Sequence, residues 1–362
     1  MSSTKKVLVF IVIAQFCCTS LWFAGNGIMD NLVDNFNLEP QAVGYLTSSV
    51  QFGFIIGTLL FALLSIVDRF SPSKVFFSSA LLGGIFNLGL LIESQNITSL
   101  AAFRFFTGFF LAGIYPVGMK IATDYYEKGL GRSLGYLVGA LVLGTALPHL
   151  LKDILQDISW QSVLIATSTL SFFGGIAILL FVPNGPYRKQ SSKINLKASF
   201  LIFKNTSFRK AAFGYFGHMW ELYTFWTFVP ILLTTYATYH NTDSLNISLL
   251  SFFIIAVGSL ACILGGFLSE KYGELKIAST SLLCSGLCCL LSPIVLLYGN
   301  YSIFIVFLLF WSMVVIADSP LFSTLVAKAA PQEEKGTALT IVNCIGFSIT
   351  IISIQLLSFL QD

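Results

Sequence analysis

Two short stretches decide the fold: Leu64 to Val75, LSIVDRFSPSKV, and Gly266 to Ile277, GFLSEKYGELKI. In each, an acid, a base and an aromatic residue stand in succession and a second base follows. Asp68, Arg69, Phe70, Lys74 and Val75 match Glu270, Lys271, Tyr272, Lys276 and Ile277 at one constant offset. Both turns lie between long apolar runs. A repeat of this kind, carried on apolar segments, is the pattern of two parallel membrane-spanning halves.

Composition agrees. The chain is 56% hydrophobic and 10% charged, against about 45–50% and about 25% in soluble domains, and reads as an all-α polytopic membrane protein. Apolar runs of about 20 residues, the length a helix needs to cross a bilayer, exclude a barrel of short alternating strands. Cys17, Cys18, Cys262, Cys284, Cys288, Cys289 and Cys344 all fall inside apolar runs, where thiols pack as small side chains and form no disulfide framework. The amino-terminal MSSTKK leads into a run too long for a cleaved leader and is read as the first anchor.

Eleven helices are predicted. Helices 1 to 6 span about Val7–Met29, Ala42–Val67, Val75–Ile92, Leu100–Tyr126, Leu134–Leu151 and Trp160–Val182. A polar linker from Pro183 to Lys210, with a short surface helix expected near Ala198–Phe203, separates them from helices 7 to 11. These span about Ala211–Tyr236, Ile247–Ser269, Ile277–Tyr298, Ile303–Ala327 and Thr337–Leu360. The expected units are therefore 1–182, a cytoplasmic linker 183–210, and 211–362. Helix 6 begins near Trp160, and the repeat places the start of its counterpart at Asp362. A twelfth helix is thus expected to be missing, by truncation or natural shortening, with Asp362 left on the outer side.

Short loops rich in Lys and Arg stay cytoplasmic. Placing the amino terminus inside puts every base on that side except Lys152 in an outer loop and Arg104 and Lys120 within helix 4. The formal charge of +3 is topogenic and gives no reason to expect nucleic acid as a partner. The expected location is the cytoplasmic (inner) membrane, as a monomer in the lipid bilayer.

Gly214 to Pro230, GYFGHMWELYTFWTFVP, places an acid and a histidine inside a helix. Glu221 lies roughly 16 Å along that helix from Lys210, about half of a ~30 Å hydrocarbon core. Carboxylates at that depth are costly and line cavities or proton paths. Gly214, Gly217 and Thr224 share its face, so Glu221 is read as a proton-coupling residue; a structural glutamate bonded to neighbouring helices is the alternative. His218, one turn earlier, either shares a proton with Glu221 or packs neutral against an aromatic ring. Lys120 and Asp124 are spaced for a local ion pair. Asp318, before Ser319 and Pro320, is read as capping a helix restarted after a proline break, with a solute-binding role as the alternative. His149 is read as interfacial. Trp220, Tyr223, Phe225 and Trp226 are packing residues by default, with Trp220 also a candidate for the solute.

The chain resembles the major facilitator superfamily over essentially its full length. LSIVDRFSPSK is similar to that family's loop 2-3 signature, with Ser65 and Ser71 where glycine is usual, and GGFLSEKYGELK is the closer copy. RFFTGFFLAGIYP has the pattern of its helix 4 motif through Arg104, Gly108, Ala112, Gly113 and Pro116. GYLVGALVLGTALPHLL only loosely resembles the antiporter motif, lacking its Gly-Pro pair. SLWFAGNGI, GHMWELY and ADSPLFS resemble a bacterial branch grouped loosely with nitrate/nitrite porters, but helices 2 and 8 contain no arginine where those porters bind the anion. The resemblance implies a fold of two six-helix halves and a conformational latch at Asp68, Arg69, Glu270 and Lys271.

The resulting expectation is a secondary transporter of a small polar or anionic solute, coupled to protons and working by alternating access, with uncoupled facilitation as the alternative and, from another class, a membrane-embedded receptor or enzyme. Glu221 and His218 would carry the proton. Arg104, Tyr115, Trp220 and Asn26 would hold the solute, with a structural pairing role as the alternative for Arg104. No metal or cofactor is implied. His149, His218 and His240 are not spaced for intramembrane catalysis, and no GxxxxGK[ST] loop is present, so neither a membrane-embedded enzyme nor an ATP-driven pump has support.

Overall fold

In a computed structural model of the chain, the residues described are 3–39, 41–126, 130–188, 202–242, 245–331 and 334–360. The long helices are α1 (Ser3–Thr19), α2 (Ala42–Leu63), α3 (Pro72–Leu88), α4 in two pieces (Ile97–Leu111 and Tyr115–Tyr125), α5 (Leu130–Ile154) and α6 (Gln161–Phe181). After the linker come α7 (Thr206–Tyr239), α8 (Ile247–Tyr272), α9 (Glu274–Tyr298), α10 in two pieces (Tyr301–Ala317 and Ser319–Ala329) and α11 (Lys335–Phe359). Among the described residues, nine helices are long and apolar enough to cross a membrane. The other two long elements are α1, whose apolar part is short, and α7, whose 34 residues are diluted by Arg209, Lys210, His218 and Glu221. Most of the predicted surface helix near Ala198, and Asp362, lie outside the described residues.

Asparagine sets several starting points. Asn205, Asn246 and Asn300 accept backbone N–H groups of Ser207, Leu249 and Ile303 at the heads of α7, α8 and α10, and Asn96 forms a capping box with Ser99 before α4. One predicted element is corrected. Helix 1 does not run to Met29: it stops at Thr19, passes through a turn over Ser20–Phe23, and resumes as short helices Ala24–Gly27 and Met29–Phe36. Breaks in α4 and α10 fall at matching places, just before Tyr115-Pro116 and Ser319-Pro320, where a ring without an N–H starts the second piece.

Within the first six helices, α1 packs on α5 and α6, α3 on α6, and α2 on α4; within the rest, α7 packs on α11 and on both pieces of α10, and α8 and α9 pack on α10. Two seams join the groups, α5 against α8 and α2 against α11. At the end away from the linker, Gln355 Nε2 donates to Ser48 Oγ at 2.9 Å across the second seam, and Asn246 donates to Asp153 across the first.

At the linker end, Arg188 holds the turn after α2. Its guanidinium donates to the carbonyls of Val67, Asp68 and Phe70 at 3.2, 3.1 and 2.9 Å. Ser65 in that turn adopts φ 51°, the left-handed region that glycine occupies without strain.

α2 and α4 come into backbone contact where Gly53 lies against the Phe105 carbonyl and Gly108 against that of Val50. A Cβ at either position would overlap backbone, which does not yield as a side-chain tip does. Gly53→Leu or Gly108→Leu is therefore expected to destabilise the protein by about 3 kcal/mol or more, read as a lower thermal midpoint in detergent. An unchanged midpoint would show that α2 and α4 are not in backbone contact.

Candidate functional site

Three groupings occupy the middle of the bundle. The first surrounds the break in α1. Ending a helix at Thr19 leaves carbonyls without intrahelical donors, and a bilayer core supplies no water to satisfy them. Arg104, on the first piece of α4 and 1% exposed, donates from its two Nη groups to the carbonyls of Leu21 (3.1 Å) and Trp22 (2.5 Å). Asn26 Nδ2 donates to Thr47 Oγ1 of α2 at 2.7 Å. Both residues thus hold the backbone around the break, which for Arg104 is the structural role given as the alternative to holding a solute.

The second grouping is a set of rings held in place by that break. Trp22 lies 4.8 Å from Phe54 of α2, 5.6 Å from Tyr223 of α7 and 5.7 Å from Phe347 of α11. Phe23 meets Trp226 edge to face at 6.1 Å. All six rings are buried, and they join the two groups of helices. Tyr223 and Trp226 are therefore part of a central aromatic layer. Trp220 is not part of that layer: it is 44% exposed, on the face of α7 that also carries exposed Phe213 two turns earlier. One residue from Glu221, it is turned about 100° around the helix. Tyr115 begins the second piece of α4 and is half-buried.

The third grouping is acidic. Glu221, 9% exposed, accepts from Ser285 Oγ (2.7 Å) and Cys289 Sγ (3.2 Å) of α9 and from Trp311 Nε1 (2.5 Å) of α10. It fastens α7 to α9 and α10. His218 faces a different acid: its Nδ1 lies 2.7 Å from Asp318 Oδ1, both side chains fully buried. The contact has ion-pair length. Asp318 occupies the head of the second piece of α10 without capping it through its side chain. The capping reading of Asp318 and the pairing of His218 with Glu221 are both corrected. The signal for the true pair was present, a histidine and an acid each inside an apolar helix, but no local spacing links positions 218 and 318.

Lys120 and Asp124 form the expected ion pair. His149 is buried beneath the far end of α5 instead of lying at an interface. Among the residues expected to latch, Arg69, Glu270 and Lys271 are exposed, and Lys271 lies over the Tyr272 ring at 5.1 Å. Sequence reasoning missed Arg188, which had no motif to mark it.

Apolar helices packed around buried polar groups at helix breaks mark a polytopic membrane protein, and the family it matches makes it a transporter and not an enzyme. The chain belongs to the Major Facilitator Superfamily, whose model matches residues 11–354. It is 32% identical over 160 residues to the niacin transporter NiaP of Acinetobacter baylyi, a match covering 38% of this chain and 36% of that one. It is 29% identical over 164 residues to the putative niacin/nicotinamide transporter NiaP of Bacillus subtilis, covering 44% and 39%. The matches thus span less than half the length of these curated relatives. In structure it is similar to the human organic anion transporter MFSD10 (TM-score 0.76, 13% identity, 99% of this chain and 94% of that one). It is also similar to a bacterial homolog of the human lysosomal transporter Spinster, in an inward-facing state (TM-score 0.70, 15% identity, 97% and 82%). At these identities the likeness shows the fold.

Removing the guanidinium would leave the Leu21 and Trp22 carbonyls buried and unsatisfied. Arg104→Met is expected to lower stability by about 1–3 kcal/mol, seen as a lower thermal midpoint; a midpoint at the wild-type value would show that the break in α1 is held by other groups.

Proposed function

We propose that the protein is a proton-coupled secondary transporter of a small organic anion in the cytoplasmic membrane, with its amino terminus in the cytoplasm. The two groups of helices, residues 1–182 and 211–362, would alternate access about a central site, joined by the linker 183–210. The observation that carries the coupling is the His218–Asp318 pair. A carboxylate and an imidazole in contact, removed from water and on different helices, can hold one proton or two. Leaving either as a lone buried charge is strongly unfavourable, so protonation changes how well α7 and the break in α10 fit together. Glu221, fixed by three donors, keeps α7 registered against α9 and α10 while that fit changes. The turn residues Asp68, Arg69, Glu270 and Lys271 would latch the cytoplasmic ends. The similarity to relatives named for niacin supports a small organic solute.

Reconstituted vesicles with an alkaline interior are expected to accumulate radiolabelled niacin, the first probe these relatives suggest. Asp318→Asn is expected to cut that accumulation about tenfold or more while exchange across the membrane survives, since exchange needs no deprotonation in each cycle. Accumulation at the wild-type level in this variant would sink the proposal. The same split in Glu221→Gln instead would move the proton to Glu221, and exchange without accumulation in the wild type would give an uncoupled facilitator.

A further inference from the structure

The coupling pair lies on α7 and α10, and the polar groups gathered at the break in α1 take no part in it. Arg104 has no carboxylate within ion-pair distance among the described residues. Its Nη groups are occupied by carbonyls, which leaves a buried positive charge and an unpartnered Nε–H. A Cβ at Gly25 would come within 3.2 Å of that Nε, so the glycine keeps its approach clear. Gln51 is fully buried with neither end of its amide bonded. On α2 it is one turn from Thr47, which holds Asn26, and one turn from Phe54, which packs on Trp22, so it faces the same break. The Trp22 Nε1–H is likewise buried and unpartnered.

A lone cation with donors beside it in apolar surroundings calls for an anion, and one charge calls for one: a dianion would leave a buried excess as costly as the first. The walls specify the rest. Trp22 comes from one group of helices, Tyr223 and Phe347 from the other; their rings meet here at 5.6 and 5.7 Å, and an alternating-access movement that parts the groups would open a slot between these faces. We propose that this is the solute seat and that it takes a monocarboxylate bearing a planar aromatic ring. The carboxylate is received by Arg104 Nε–H and the Gln51 amide, and the ring lies between Trp22 and the Tyr223–Phe347 pair. The inference rests on the transport reading above and names its solute class.

Calorimetric titration of the purified protein tests it with benzoate, benzamide, cyclohexanecarboxylate and phenyl phosphate. Benzoate is expected to bind, and the uncharged, non-planar and dianionic probes to bind at least about tenfold more weakly. Gln51→Leu is expected to weaken benzoate about tenfold at an unchanged thermal midpoint. Should that variant not fold, Gln51→Glu, which gives Arg104 an internal counter-ion, is expected to abolish binding. No benzoate binding by the wild type, equal binding of cyclohexanecarboxylate, or wild-type binding by a folded Gln51 variant would overturn the seat. The titration needs no proton gradient. Absent benzoate binding with gradient-driven uptake intact therefore overturns the seat alone, and benzoate binding without such uptake overturns the coupling alone.

Discussion

A bilayer core has no water to satisfy a carbonyl released by a helix break, so each break must be completed by a side chain or by a second helix. The grip of Arg104 on the Leu21 and Trp22 carbonyls is where this constraint is met most directly. Through it α4 positions the turn in α1, the turn positions Trp22 and Phe23, and those rings meet Tyr223, Trp226 and Phe347 on the other group of helices. The same constraint concentrates polar side chains at the breaks, because only there does the backbone leave groups for them to meet. Arg104 meets one such break and Asp318 stands at another, whereas Glu221 is held by side chains of neighbouring helices.

The duplication sharpens this point. The second pieces of α4 and α10 begin alike, at Tyr115-Pro116 and Ser319-Pro320. The residue before the first is Ile114, and before the second it is Asp318. One architectural device thus carries a packing residue in the first copy and a buried acid in the second. Arg104 shows the reverse: the cation stands in the first copy, and α10 has Leu308 in the comparable stretch. The buried cation of Arg104 and the buried acid of Asp318 thus stand in different copies of the repeat.

Much of the fold was legible because its signals are long. Apolar runs, basic loops and the repeated turn gave the helices, their order and the family. The site was legible only residue by residue. Glu221, His218 and Asp318 each stood out as polar residues in apolar helices, but which acid faces the histidine depends on how α7 and α10 pack. Trp220 lies outside the aromatic layer because adjacent residues on a helix face different neighbours. The break in α1 was hidden because Ser20, Gly25 and Asn26 sit within a run that is otherwise apolar enough to continue as helix. Gln51 attracted no attention, since its setting is created by the turn in α1 and by Phe54 against Trp22, contacts without a local sequence pattern.

The depth of the His218–Asp318 pair brings in membrane voltage. His218 lies roughly 12 Å along α7 from Lys210, about two-fifths of a ~30 Å core. In the coupling proposed above, a proton arriving from one face would cross part of the electric field, and leaving by the other it would cross the remainder. With about 2.3 kcal/mol for a unit charge crossing 100 mV, the share on the linker side is about 1 kcal/mol. Protonation at this position is therefore biased by the membrane potential as well as by the pH on either side, and its field-dependent work is split unevenly between the two half-reactions.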